Sequence, residues 1–383
     1  LKKRLRGRGM LVAALAVWLA SAGPALAAIT GPRIYDDGTN WANPEGVIVP
    51  DGELTFPDLG SRQFESASVS FSGRLSDGRN FTISLVRWAY GFFGGWNLYV
   101  LVAGSEPPVF SRNYAVNGRE VQLARDRLSI RFGDNLIEGR NRLYRVRLNL
   151  EGFACDLELH GLLPPWKPGD GVASLSADGS AYVHDLVPAP WATLAGWMSV
   201  EGSREAVEGE CRGGLSKTSL PPDKVSTPVY ALQGFSPSGV DPEDRWILTL
   251  SDAALSRAYG AGHQSTLTLA HDGRWVLTTG RLELRDLEMA RGGEDPVAYP
   301  SRIAVSAADR GYILQGEYRV EQTYEVFDVF GDLSPFLRAV ASLFVKDPTI
   351  VQTAGVFRGR LQLPDGQSES LSLAATLEYT LVK

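Results

Sequence analysis

The side chains that could move a proton, hold a metal or attack carbon are few and scattered. Four histidines occur, His160, His184, His263 and His271, and their spacing matches no familiar metal-ligand pattern. His184-Asp185 is an adjacent His/Asp pair. Neighbours on a strand point to opposite faces, which separates them as a dyad. Glu158 and His160 stand two apart and would share a strand face. A proton-transfer pair and an ordinary solvated face both fit that spacing. The two cysteines are Cys155 and Cys211. A bond between them would close a long loop and add about 4 kcal/mol by chain entropy, but separate buried thiols fit equally well. No Gly-x-Ser-x-Gly elbow is present, which removes the usual support for serine-hydrolase chemistry. Gly91-Phe92-Phe93-Gly94-Gly95-Trp96 is glycine-rich but precedes no helix, so it is not a phosphate loop. No catalytic residue, cofactor or metal is assigned from these side chains.

The aromatic residues carry more information. Trp88, Tyr90, Phe92, Phe93, Trp96 and Tyr99 crowd one hairpin, and Trp166, Trp191 and Trp197 crowd a second region. Large aromatics supply apolar area for a ligand, and Trp adds a polar N–H. Core packing uses the same residues, so both roles stay open. As ligand-binding candidates we take Trp88, Tyr90, Trp96, Tyr99, Trp191 and Trp197.

These residues ride on strands. Ser66–Leu75 leads through Ser76-Asp77-Gly78-Arg79 into Asn80–Trp88, an alternating pair around an Asp-Gly turn. Ser265–Ala270 and Arg274–Leu277 flank His271-Asp272-Gly273 in the same way. In Arg142–Leu150, Tyr144, Val146 and Leu148 alternate with Arg145, Arg147 and Asn149, which predicts a half-buried antiparallel strand. One segment departs from this pattern. Pro335–Val345 has apolar residues near helical spacing, with Ser334 as cap and Pro335 in the first position, and predicts a short amphipathic helix. Many antiparallel strands without β-α-β alternation predict a sandwich or barrel. The proline-rich stretch around Pro221–Pro242 places a linker at 216–244, between a first domain at 28–215 and a second at 245–383.

The chain of 383 residues has 44% hydrophobic and 21% charged residues, enough to build a core. Its net charge of −6 disfavours nucleic acid and anionic lipid surfaces as partners. Lys2, Lys3, Arg4, Arg6 and Arg8 precede an apolar run from Met10 to Ala20, and Ala25 and Ala27 fit an A-x-A cleavage site. That order predicts a signal peptide over residues 1–27 and a periplasmic or secreted protein. The run is about half of the ~20 residues that span a bilayer, and no later segment is long and apolar enough to span.

Short motifs give a resemblance. Gly209-Glu210-Cys211-Arg212-Gly213 followed by Thr218-Ser219-Leu220-Pro221-Pro222-Asp223, then Ala298-Tyr299-Pro300-Ser301-Arg302, Leu314-Gln315-Gly316-Glu317-Tyr318 and Asp328-Val329-Phe330-Gly331-Asp332-Leu333, resemble the AttH-like family. That family includes the carotenoid 1,2-hydratases (hydroxyneurosporene synthases) and the survival-factor-like proteins. The resemblance spans about Gly46 to Lys383 and implies two tandem lipocalin-like (calycin) antiparallel β-barrels. It also implies an apolar ligand such as a lipid, isoprenoid or carotenoid. The departures are specific. The family's Tyr-x-Asp-His stretch would fall on Cys211, Arg212, Gly213 and a neighbour, where neither the Asp nor the His occurs. Its Glu-Trp-Trp-Tyr run would fall near Ala67-Ser68-Val69-Ser70, where it is also missing. Hydrating an isolated alkene requires a carboxylic acid of raised pKa, and the family's acid has no counterpart at that motif. The leading expectation is therefore a binding or carrier protein for an apolar small molecule. The alternative is a hydratase or isomerase in which an acid elsewhere, such as Glu65 or Asp185, takes over.

Overall fold

A computed structural model describes the chain from Tyr35 to Val382, apart from residues 36–40, 42–43, 47–48, 61–63, 91–92, 105–108, 176–180, 220–225, 258–259, 293–296 and 329–347. The expected helix at Pro335–Val345 and the predicted signal peptide lie outside the described residues.

Strands dominate what is described. The first sheet comprises β1 (Glu65–Leu75), β2 (Asn80–Tyr90), β3 (Phe93–Ala103), β4 (Phe110–Val116), β5 (Gln122–Leu123), β6 (Leu128–Phe132), β7 (Asn135–Arg140), β8 (Leu143–Leu150), β9 (Phe153–Gly161), β10 (Val172–Ser174), β11 (Tyr182–Val200) and β12 (Ser203–Thr218). The second comprises β13 (Ser226–Phe235), β14 (Trp246–Leu255), β15 (His263–His271), β16 (Arg274–Thr279), β17 (Leu282–Gly292), β18 (Val297–Asp309), β19 (Tyr312–Asp328), β20 (Pro348–Gln362) and β21 (Ser368–Val382).

The two sheets share one plan. Each is an antiparallel meander whose first strand pairs with its last, β1 with β12 and β13 with β21. Each ladder opens at the same place, after its fourth strand, so the end strands are β4 and β5 in one sheet and β16 and β17 in the other. In the second sheet β16 lies against β18 across that opening, as a curled sheet requires. The result is two lipocalin-like antiparallel barrels in tandem.

Sequence patterning explains the strands. The burial of β1 alternates strictly, with Val69, Phe71 and Leu75 inside and Ser66, Ser68, Ser70, Ser72 and Arg74 outside. In β8, Tyr144, Val146 and Leu148 are buried while Leu143 stays 55% exposed. The turn between β15 and β16 places Asp272 (φ 47°) and Gly273 (φ 63°) in left-handed backbone, the requirement of a tight hairpin turn. Aromatic side chains fill the interiors: Phe71, Phe81, Trp96, Phe110 and Phe153 in the first barrel, Tyr299, Tyr318 and Phe357 in the second.

The second sheet begins earlier than the expected linker allows. β13 lies inside 216–244, and the crossing between sheets shortens to the residues after Thr218 and before Ser226. Pro228 is tolerated because the ladder to β14 shifts register between Ser226 and Val229, where its missing N–H breaks no bond. Cys155 and Cys211 are both free and buried. Cys155 neighbours Met198 on β11 and Cys211 neighbours Ala192, some six residues apart and so about 20 Å along the strand. That separation forbids a disulfide. Burial pushes the Cys155 thiol up to about 12.

Candidate functional site

The barrels meet through the outer face of β1, β2, β3 and β12 on one side and that of β13, β19, β20 and β21 on the other. Polar clasps frame the meeting. Ser72 Oγ donates to Gln233 Oε1 at 2.7 Å, and Gln233 Nε2 donates back to the Ser72 carbonyl at 3.2 Å. On one flank Tyr99 donates to Glu325 (3.0 Å) and lies 3.2 Å from Gln352, while Ser111 also donates to Glu325 (2.8 Å). On the other, Tyr35 donates to Asp185 and accepts from Gln264 Nε2 at 2.9 Å.

Inside this frame the side chains are small. Cross-strand pairing sets Ser68 beside Ser216, Ser70 beside Gly214 and Ser84, and Ser72 beside Arg212. On the facing barrel one row runs Ser251–Ala231–Glu378–Gln352–Glu325 across five strands. Small residues thus line both faces. Ala231 and Glu378 retain accessible surface there, and Arg212 is half-buried.

Glu378 is the distinctive group. Burial raises its carboxyl pKa, and the amide of Gln352, 3.3 Å away, lowers it in part. Glu378 is crowded by surrounding protein yet keeps an exposed side chain. Arg212 has the same character: burial lowers its pKa, and the charge of Asp185 raises it. Burial and the charge of Glu325 push the Tyr99 phenol well above its ordinary range, so it remains a donor.

The lower seam differs. A hollow of about 360 Å³ there is lined by His160, Glu210, Phe235 and Arg245, among others. Its charges are matched, because Arg245 Nη1 bonds Glu210 Oε1 at 3.1 Å. On the apolar flank, Trp191 packs with Leu163, Phe235 and Ile247 and joins the barrels.

The aromatic candidates separate by location. Tyr99 faces the inter-barrel space. Trp88 shares the outer face of its sheet with Tyr99, half-buried, its Nε1 3.3 Å from Asn97 Oδ1. Trp96 points inward and stacks on Phe56 at 5.1 Å. Trp191 belongs to the apolar seam. Trp197 lies on the outside of the first barrel, where Arg204 sits 3.7 Å over its ring. The side chain of Tyr90 lies outside the described residues. Glu158 and His160 are exposed on β9. Glu65 is buried and engaged by Lys217 (3.4 Å) and the Gly60 amide. Asp185 meets the site as the anchor of Tyr35, while burial lowers the pKa of its neighbour His184.

Glu378, Gln352, Glu325 and Arg212 were not among the sequence candidates. A signal was present in the outer parity of β1 and β21, where Ser66, Ser68, Ser70 and Ser72, and Ala374, Thr376 and Thr380, are too small and uncharged for an open surface. On this face Arg212 pairs with Ser72, and Gly214 with Ser70. Among the described residues no three His, Cys, Asp or Glu side chains gather as a metal site. No described helix is long and apolar enough to cross a membrane.

A tandem lipocalin-like fold with polar contacts between its barrels is thus the class that the structure defines. In solved structures, the fold is similar to the AttH protein of Nitrosomonas europaea, at a TM-score of 0.61 and 14% identity over 88% of this chain and 97% of that one. It is similar to CghA, seen with Sch210972, at a TM-score of 0.60 and 11% identity over 92% of this chain and 99% of that one. It is also similar to kievitone hydratase of Nectria haematococca, at a TM-score of 0.54 and 10% identity over 92% of this chain and 98% of that one. At such identities the likeness establishes the fold. No family model matches the chain, and no curated protein matches it in sequence.

Proposed function

We propose that this chain is an enzyme of the hydratase or isomerase type, acting on a carbon–carbon double bond of a largely apolar substrate between its two barrels. Glu378 supports this reading most directly. It is a carboxylic acid kept protonated to higher pH by burial, oriented by Gln352, and facing an accessible space. Protonating an alkene carbon requires such an acid. In hydration the proton passes from Glu378 to one carbon. Water adds to the cation left on the other carbon, and the Glu378 carboxylate takes back a proton from that water. In isomerisation the carboxylate instead removes a proton from a neighbouring carbon. The fold shared with a named hydratase supports the same direction. Both barrel interiors are filled by their own aromatic side chains, so a carrier of an apolar molecule would use this same space. We place the enzyme in the periplasm or outside the cell, after cleavage near Ala27. N-terminal sequencing of the exported protein checks that position.

The test is incubation of residues 28–383 with a panel of isoprenoid and other apolar alkenes, followed by mass spectrometry. Products heavier by one water, or double-bond isomers, are expected from the native protein and not from Glu378→Gln. Equal turnover by Glu378→Gln would overturn Glu378 as the acid. A stoichiometric ligand recovered unchanged would return the reading to a carrier.

A further inference from the structure

The space between the barrels holds a cation that the proton transfer does not use. Arg212 lies on β12 beside Ser72, two residues before Gly214 on the same face. Its Nη1 is 3.5 Å from the point where a Cβ on Gly214 would stand, and Ser70 Oγ is 3.2 Å from that same point. Guanidinium and hydroxyl therefore converge over a bare glycine. Among the described residues Arg212 has no hydrogen-bond or ion-pair partner. Asp185 influences its charge but is held by Tyr35, outside ion-pair distance.

A guanidinium stays charged at any physiological pH and presents a planar fork of donors. Leaving such a group desolvated and unpaired is unfavourable. A planar acceptor of opposite charge would satisfy it in two parallel bonds. The surroundings choose between acceptors. Asp185 already places a negative charge near Arg212, so a doubly charged phosphate would be repelled more strongly than a single charge. A single negative charge spread over two oxygens fits. Val86 and Ala231 add apolar surface to the facing walls.

We propose that Arg212, with Ser70, binds a carboxylate of the substrate, so that the molecule taken up between the barrels is an apolar acid. This deepens the reading of the inter-barrel space as the working site and rests on it.

The experiment compares cis-parinaric acid with its methyl ester, which share one tail and differ in charge, by fluorescence titration of the mature chain at pH 8. The acid should bind at least about tenfold more tightly than the ester, the equivalent of ~1.4 kcal/mol. Arg212→Gln should bring the two within about twofold by weakening the acid alone. Arg212→Lys should keep part of the preference and guards against a folding defect in the glutamine variant. Ser70→Ala should weaken the acid by a smaller factor. Equal binding of acid and ester to the native chain overturns the proposal, as does binding of neither, or a preference that survives Arg212→Gln. Glu378→Gln keeps the acid preference under this proposal. Failure of the proton-transfer reading would appear as unchanged turnover in Glu378→Gln, and failure of the carboxylate reading as a lost preference in the native chain.

Discussion

The inside of each barrel and the face between the barrels are built from the same strands by opposite choices. Inside, alternate positions carry large apolar side chains, and Phe71, Phe81, Phe153 and Phe357 are almost fully enclosed. On the other side of those strands stand Ser68, Ser70, Gly214 and Ala231, with Arg212 and Glu378 among them. Close packing inside supplies stability and leaves little room for a ligand. Small side chains outside leave room, and the second barrel removes water from it. Desolvation then alters the charged groups that line the gap, as the raised carboxyl of Glu378 shows.

The largest effects should separate the two regions. Glu378→Gln is expected to lower turnover by roughly 10²–10⁴-fold, the usual contribution of a positioned general acid, with the thermal midpoint preserved. Phe357→Ala should do the reverse. Its ring lies over the cross-strand glycines Gly316 and Gly359, where an added Cβ would stand 2.4 Å and 2.9 Å from ring atoms. Removing the ring empties that layer and should reduce stability by about 3–5 kcal/mol in urea unfolding. Turnover per folded molecule should stay near native. A Phe357→Ala protein that is stable but inactive would break the division of labour between the regions.

Legibility in the sequence follows the same division. The barrel interiors were readable because period-two alternation in β1 and β8 and the Asp-Gly turns are local signals. Even the turn backbone at Asp272-Gly273 follows from residue type. The start of β13 was not readable, since Pro228 argues against a strand unless a bulge is already known. The inter-barrel site was hidden for another reason. Glu378 and Arg212 stand at outward parity, which reads as a solvated face until a second barrel covers it. The aromatic signal led to Tyr99, which contacts the second barrel, and to Trp96, which packs in the core. Aromatics serve both purposes, and type alone does not divide them. The serine row of β1 was the better clue, because an exposed strand rarely carries only small hydroxyls on four successive outward positions.

A smaller effect tests the clasp that joins the regions. Tyr99→Phe removes the hydrogen bond to Glu325 and the contact with Gln352 while keeping the ring. It should reduce stability by about 1–2 kcal/mol, because a hydrogen bond to a charged group is lost from a half-buried place. Turnover should fall only modestly if the clasp positions the walls, and a collapse in turnover with unchanged stability would instead move Tyr99 into the chemistry.

The smallest effect uses pH to contrast a carboxylate in the gap with one on an outer face. Glu378 has a folded pKa raised by burial. Folding therefore favours its protonated form. Its contribution is present in full below the ordinary carboxylate pKa and is lost as pH rises through the raised value. Asp156 behaves oppositely. Arg145 donates to it from β8 at 2.8 Å and 2.7 Å and lowers its pKa. That contribution is present above the ordinary carboxylate pKa and is lost as pH falls through the lowered value. Solvent screening on this exposed face limits it to about 0.5 kcal/mol. Urea unfolding across pH 3 to 8 should thus show Glu378→Gln gaining on the native chain as pH rises and Asp156→Asn losing on it over the same rise. If both variants tracked the native curve in parallel, Glu378 would be solvated like Asp156, and the gap between the barrels would be open water rather than a site.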